Sequence, residues 1–220
     1  MIKALIFDFD GLILDTETPE VIAWQEVYSR YGVEFPVLLW GRIVGGNGNN
    51  DFDPIEYLRE QTGQDIDGTL EREDKRVRDR QLVAEQDPLP GVEDMLQAAD
   101  RLGLRCAIAS SSTHAWVDGQ LKRLGLYDYF DAIICREEVE RVKPDPQLFE
   151  TALRALGVAA DEALVFEDSP NGVKAGRAAG IRVVAVPNPV TALLEIEGAE
   201  ILLDSLADLT LEELLEKVNH

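Results

Sequence analysis

The apolar positions of the chain change period in a telling order. Lys3-Ala4-Leu5-Ile6-Phe7 is a short apolar run cut off at Asp8, the pattern of a strand buried on both faces. After Thr16 the period becomes helical: Val21, Trp24, Val27, Tyr28 and Tyr31 recur on one face, and Gly32 stops the run. From there to Gln86 no strand pattern occurs. A Gly/Asn-rich loop precedes two helical stretches, around 53–62 and 67–86. Asp87-Pro88-Leu89-Pro90-Gly91 then punctuates the chain, and strands and helices alternate beyond it, as in a parallel sheet. The expected strands are Leu104–Ala109, Ala132–Cys135, Ala163–Phe166 and Arg182–Val186, with a weaker one at Ile201-Leu202-Leu203 and helices from about 91, 113, 146 and 171. This predicts an α/β fold: a doubly wound, Rossmann-like parallel sheet of five or six strands formed by 1–16 and 88–220, with an all-helical cap inserted at 17–87.

Composition narrows the function classes. The 220 residues are 45% hydrophobic and 29% charged, enough apolar material for a packed core. Lysine and arginine number 21 against 42 acids, a formal charge of −21, which repels polyanions: nucleic acid and anionic membrane are not expected partners, and a soluble monomer is. No apolar run approaches the roughly 18 residues of a spanning helix, and Asp8 and Asp10 interrupt the N-terminal stretch, so a cytoplasmic location is expected. Cys106 and Cys135 lie in apolar segments without CxxC spacing and read as buried reduced thiols. His114 and His220 are the two histidines, too few for chemistry built on several.

Ligands of doubly wound sheets bind beyond the C-terminal strand ends. Strand one ends in Asp8-Phe9-Asp10-Gly11, the next in Ser110-Ser111-Ser112, the fourth in Glu167-Asp168-Ser169, with Lys143-Pro144-Asp145 in the connection before the fourth. Carboxylates gathered there repel one another unless a hard cation such as Mg2+ neutralises them. Asp8, Asp168 and Glu167 fit that demand. A phosphoryl group could then approach, with Lys143 and Ser110 sharing its oxygens, Asp8 as nucleophile and Asp10 as general acid and base. The substrate class is a small phosphate monoester.

In this order and spacing these segments resemble the haloacid dehalogenase superfamily, in its capped branch of small phosphatases and phosphomutases. The motifs are Asp8-Phe9-Asp10-Gly11 with Asp15-Thr16, Ala109-Ser110-Ser111, Lys143-Pro144-Asp145 and Phe166-Glu167-Asp168-Ser169-Pro170-Asn171-Gly172. The resemblance implies Mg2+ held by the Asp8 side chain, the Asp10 backbone carbonyl and Asp168, with Glu167 contributing directly or through water. It also implies a cap hinge at Thr16.

Each residue has a plainer reading. DxDG occurs in turns and calcium loops, although Gly11 comes too early for the latter. Ser110 to Thr113 could cap a helix; Ser110 is taken as a ligand, and Ser111, Ser112 and Thr113 as cap or amide donors. Lys143 could be a surface lysine, and its substitution is expected to affect catalysis with little effect on stability. Trp24, Trp40 and Trp116 are read as packing groups, Ser169 as a helix cap, and His114 as an exposed first-turn residue. Within the cap, Arg42, Asn47, Asn49 and Asn50 are the polar groups expected to face the site, Arg42 being the one nearby cation. The leading function is a phosphatase; the alternative is a mutase resembling β-phosphoglucomutase, and a receiver-type phospho-aspartate domain is a more distant one. Mutases of this kind carry a cap histidine where this chain has Glu20, and an arginine loop where it has Gly45-Gly46-Asn47-Gly48-Asn49, which favours hydrolysis.

Overall fold

The computed structural model describes residues 1–41, 43 and 52–219. Strands β1 (Ala4–Phe7), β2 (Arg105–Ala109), β3 (Ala132–Ile134), β4 (Ala163–Glu167), β5 (Arg182–Ala185) and β6 (Ile201–Leu202) form one parallel sheet in the order β3-β2-β1-β4-β5-β6. Helices α1 (Glu17–Ser29), α2 (Val37–Gly41), α3 (Pro54–Thr62) and α4 (Gly68–Ala84) lie between β1 and β2 in sequence. Helices α5 (Val92–Leu102), α6 (His114–Leu124), α7 (Gln147–Leu156), α8 (Pro170–Ala178) and α9 (Leu211–Asn219) follow.

The alternation of side chains in β1 shows why the sheet is covered on both sides. Leu5 and Phe7 join one apolar cluster with Met95 of α5, Leu121 of α6 and Leu214 of α9, whereas Ala4 and Ile6 join another with Phe149 of α7 and Val173 of α8. Register places Phe7 beside Ile108 and Phe166, so β1, β2 and β4 end level. Because β2 and β4 flank β1 on opposite sides, the chain order reverses there and a crevice opens above the strand ends. Phe7 and Phe166 stack at 4.7 Å as its apolar floor.

Helices α1, α2 and α3 of the inserted segment share a cluster of their own, in which Trp24, Tyr28 and Phe35 pack at 5.0–6.4 Å between ring centroids. Val190, from the loop after β5, belongs to the same cluster. The two connections of the segment run side by side, with Leu14 bridged to Pro88 and the Leu89 amide donating to the Ile13 carbonyl at 2.9 Å.

Two helices are absent from the sequence expectation. Helix α2 is a single short turn with Leu38 and Leu39 exposed, too brief for a period to show. Helix α9 had a readable signal: Thr210 and Glu213 form reciprocal capping bonds, the S/T-x-x-E pattern, before Leu211, Leu214 and Val218. Both cysteines are buried free thiols, as expected, and burial pushes each up to about 12. Among the described residues no helix is long and apolar enough to cross a membrane.

Candidate active site

Asp8 stands one residue past β1, its amide donating to the Phe166 carbonyl at 3.0 Å. The chain then turns tightly, with Gly11 at φ +77° and its amide on the Leu14 carbonyl at 2.8 Å. A side chain at Gly11 would run into Asn188 and the Asp168 carboxyl, so glycine is required here by conformation and by space.

Lys143 is 1% exposed, and its ammonium lies 2.7 Å from Asp8 Oδ1 and 2.5 Å from Glu167 Oε1. The surface-lysine alternative is therefore wrong, and the burial of Lys143 between two carboxylates argues against the expectation that replacing it would spare stability. Glu167 is held on its other oxygen by the Asp168 amide at 3.1 Å. It occupies the space that a side chain at Gly172 would fill. Ser169 caps α8 through the Gly172 amide at 3.1 Å, as expected.

Burial, the Glu167 charge and incomplete compensation by Lys143 raise the Asp8 carboxyl to about 6. Burial and the charges of Asp8 and Glu167 push Asp168 well above the usual carboxylate range. Lys143 is raised despite its burial, because both carboxylates favour the ammonium. Asp8, Glu167 and Asp168 each offer an oxygen within 4.8 Å of one another, all buried. Three oxygen donors against one ammonium is a donor set suited to a hard divalent cation.

Asp10 is turned to a separate set of partners. Its Oδ1 accepts from Trp116 Nε1 at 2.8 Å, and its Oδ2 accepts from the Ser112 hydroxyl at 2.6 Å and the Ser110 hydroxyl at 3.3 Å. Burial and the Asp8 charge raise its carboxyl, an effect that Ser112 and Trp116 oppose. Trp116 is thus a site residue as well as a packing one, and the Ser112 hydroxyl does more than cap a helix. Ser111 also lines the cleft, with its hydroxyl buried and unpartnered. Thr113 sits at the α6 N-cap but makes no side-chain cap bond; Glu137 accepts from the His114 amide at 3.1 Å instead. His114 is half-buried, between Glu138 at 2.8 Å and Asp118 at 3.3 Å, which corrects its expected exposure.

Asp8, Asp10, Ser110, Trp116, Lys143 and Asp168 line a cleft of about 420 Å3. Thr16, Glu17, Glu20, Asp79 and Arg80 contribute from the helical side, and Arg136 from the sheet side. Burial, with Glu20 and the site aspartates close by, raises Glu17 well above its ordinary value. Lys75, in α4, is buried and paired with Glu20 and Asp79. Among the described residues, Arg80 and Arg136 are cations that line the cleft, and Lys75 lies against two of its lining acids. Arg42, Asn47, Asn49 and Asn50 lie outside the described residues. Sequence reading does not single out Glu17, whose burial depends on the fold, nor Lys75, Trp116 and Asn188 as site residues, because their partners are remote along the chain. Trp116, one turn beyond the Ser110-Ser111-Ser112 strand end, carried a faint positional signal.

Residues 5–186 match the haloacid dehalogenase-like hydrolase family. YhcW of Bacillus subtilis is 44% identical over 219 residues, spanning 100% of this chain and 99% of that protein. The fructose-1-phosphate phosphatase YqaB of Escherichia coli is 33% identical over 183 residues, 83% of this chain and 95% of YqaB. A crystal structure of β-phosphoglucomutase from Clostridium difficile superposes with a TM-score of 0.74 at 25% identity, covering 100% of this chain and 98% of that one. With its sheet order, its DxDG turn and these relatives, the chain belongs to the haloacid dehalogenase-like hydrolase family of enzymes.

Proposed function

We propose that this hydrolase is a Mg2+-dependent phosphatase of small phosphate monoesters, sugar phosphates foremost, working through a phospho-aspartate on Asp8. The observation that carries the reading is the separation of two carboxylates two residues apart: Asp8 faces Lys143 and the acid cluster, while Asp10 is held by Trp116 and Ser112.

The Asp8 side chain, Asp168, Glu167 and the Asp10 backbone carbonyl are the assigned Mg2+ ligands. When bound, the ion neutralises the cluster and the phosphoryl oxygens, so that Asp8 remains a carboxylate. Asp8 then attacks phosphorus through one oxygen, and the bond from phosphorus to the leaving oxygen breaks. Asp10, whose carboxyl is raised by burial and the Asp8 charge, transfers a proton to that leaving oxygen. Lys143 and the Ser110 hydroxyl take up charge on the phosphoryl oxygens. Water next loses a proton to the Asp10 carboxylate and attacks phosphorus; the bond to Asp8 breaks, releasing phosphate and restoring both acids. The helical cap, hinged at Thr16, covers the reacting group and excludes bulk water. Ser111, with its free hydroxyl, together with Arg42 and Asn47 of the cap loop, is assigned to substrate binding.

Hydrolysis is favoured over the mutase reaction by the helical wall. A mutase must retain a second phosphate there, yet Lys75 is already paired with Glu20 and Asp79, and Arg80 is outnumbered by Glu17, Glu20 and Asp79 along the cleft. The test is phosphate release from a panel of sugar monophosphates with Mg2+ and with chelator, with isomer formation followed by NMR. Release that requires Mg2+ and falls about 10^3-fold or more in Asp8→Asn is expected. Full activity in chelator, retained turnover in Asp8→Asn, or isomer formation faster than release would overturn the proposal.

A further inference from the structure

The loop after β5 makes a contact that the mechanism above does not use. Asn188 is buried, and its Nδ2 donates to Asp168 Oδ2 at 2.6 Å. Its own Oδ1 accepts from the Val190 amide at 2.8 Å and the Thr191 amide at 3.0 Å. Two backbone donors on Oδ1 settle which end of the amide faces Asp168, since a flipped amide would set N–H against N–H and oxygen against carboxylate. The Asn188 amide donates to Thr191 Oγ1 at 3.0 Å, closing the turn on itself. The bond to Oδ2 thereby fixes the orientation of the Asp168 carboxyl beside Asp8 and Glu167. Asparagine supplies this donor without altering the charge balance of the cluster.

Two residues on, the same turn is fixed to a different body. Val190 is 4% exposed and is buried in the aromatic cluster of the inserted helices, with Trp24 and Phe35. Helix α2 closes over it, since a Cβ at Gly41 would lie 3.6 Å from the Val190 carbonyl and 3.7 Å from its Cγ1. A single closed turn therefore grips Asp168 at one end and the helical cap at the other.

We propose that Asn188 is a positioning residue for Asp168, and that the Asn188-Pro189-Val190-Thr191 turn couples the seating of the cap to metal affinity. The coupling rests on the assignment of Asp168 as a metal ligand. It is reciprocal by necessity: if a seated cap holds Asp168 in its binding orientation, bound metal holds the cap seated to the same extent. Groups that orient a metal ligand through its second oxygen usually change affinity by about 10–100-fold when removed.

The experiment is Mg2+ titration of the intact chain by calorimetry, repeated with Mn2+ by electron paramagnetic resonance, independently of turnover. Asn188→Ala is expected to raise Kd about 10–100-fold. Asn188→Ser keeps an acceptor for the turn amides but is too short to reach Asp168; it should show the same loss with a melting temperature close to wild type. Val190→Ala should raise Kd within about 2–30-fold. Leu58→Ala, a truncation in α3 of the same cluster, should leave Kd within about 2-fold at comparable loss of stability. The Asn188→Ala, Val190→Ala double variant should lose less than the product of the two, because the cap acts through Asn188. Wild-type affinity in both Asn188 variants would overturn the positioning role. Equal shifts in Val190→Ala and Leu58→Ala would overturn the coupling. Failure of the wild-type chain to bind either ion would instead overturn the metal assignment itself.

Discussion

Replacing Lys143 with alanine should destabilise the metal-free protein by an amount the site geometry sets. The ammonium is buried, and it touches both Asp8 and Glu167; among the described residues no other cation forms an ion pair with these acids or with Asp168. Removing one partner of a buried ionic group costs about 3–5 kcal/mol, because the remaining charges are left uncompensated in low dielectric. At about 2–4 °C per kcal/mol for a chain of this size, the melting temperature should fall by roughly 6–20 °C. The effect has a definite pH sign. Asp8 is raised from 3.8 to about 6 in the folded protein, so its contribution to stability is fully present below 3.8 and is lost as pH rises through 6. Without Lys143 that carboxyl moves higher still, and the deficit of the variant must be larger at pH 8 than at pH 5. Saturating Mg2+ should narrow the gap, since the ion replaces the missing counter-charge. Circular-dichroism melts of wild type and Lys143→Ala at pH 5 and pH 8, in EDTA and in Mg2+, test every part of this. Equal melting temperatures in EDTA at pH 8 would refute the assignment of Lys143 as the counter-ion of the cluster.

Two further substitutions probe the surrounding hydrogen bonds. Trp116→Phe removes a donor that holds the Asp10 carboxyl down, so Asp10 should stay protonated to higher pH and the basic limb of the kcat/KM profile should move upward; an unmoved limb would sink the general-acid role of Asp10. For His114, partial burial lowers the imidazole, but hydrogen bonds donated to Asp118 and Glu138 outweigh it and leave the group raised. Its stabilisation is therefore present below about 6.5 and fades as pH rises through the raised value, so His114→Asn should melt earlier than wild type at pH 5.5 and together with it at pH 9; a gap independent of pH would show that the ion pairs contribute nothing.

The sequence alone determined the groups whose meaning is local. An apolar run ending in Asp8-Phe9-Asp10-Gly11 specifies a buried strand followed by a turn needing positive φ, and the alternation after Pro88 specifies parallel strands whose ends must face one way. Those two facts bring Asp8, Ser110 and Asp168 to one crevice before any distance is known. What periodicity reports, however, is which side of an element is apolar. It does not report which polar group on one element meets which on another. Trp116 reaches Asp10 across 106 residues and Lys75 reaches Glu20 across 55, and both pairings exist only because helices α6 and α4 are laid down at the crevice by tertiary packing. Asn188 is separated from Asp168 by a helix and a strand, and the two meet through a turn whose Val190 packs among the inserted helices. Buried charges made the same distinction for Lys143: composition marks lysine as a surface residue, and only the enclosure of three carboxylates at the strand ends makes an interior ammonium the lower-energy arrangement.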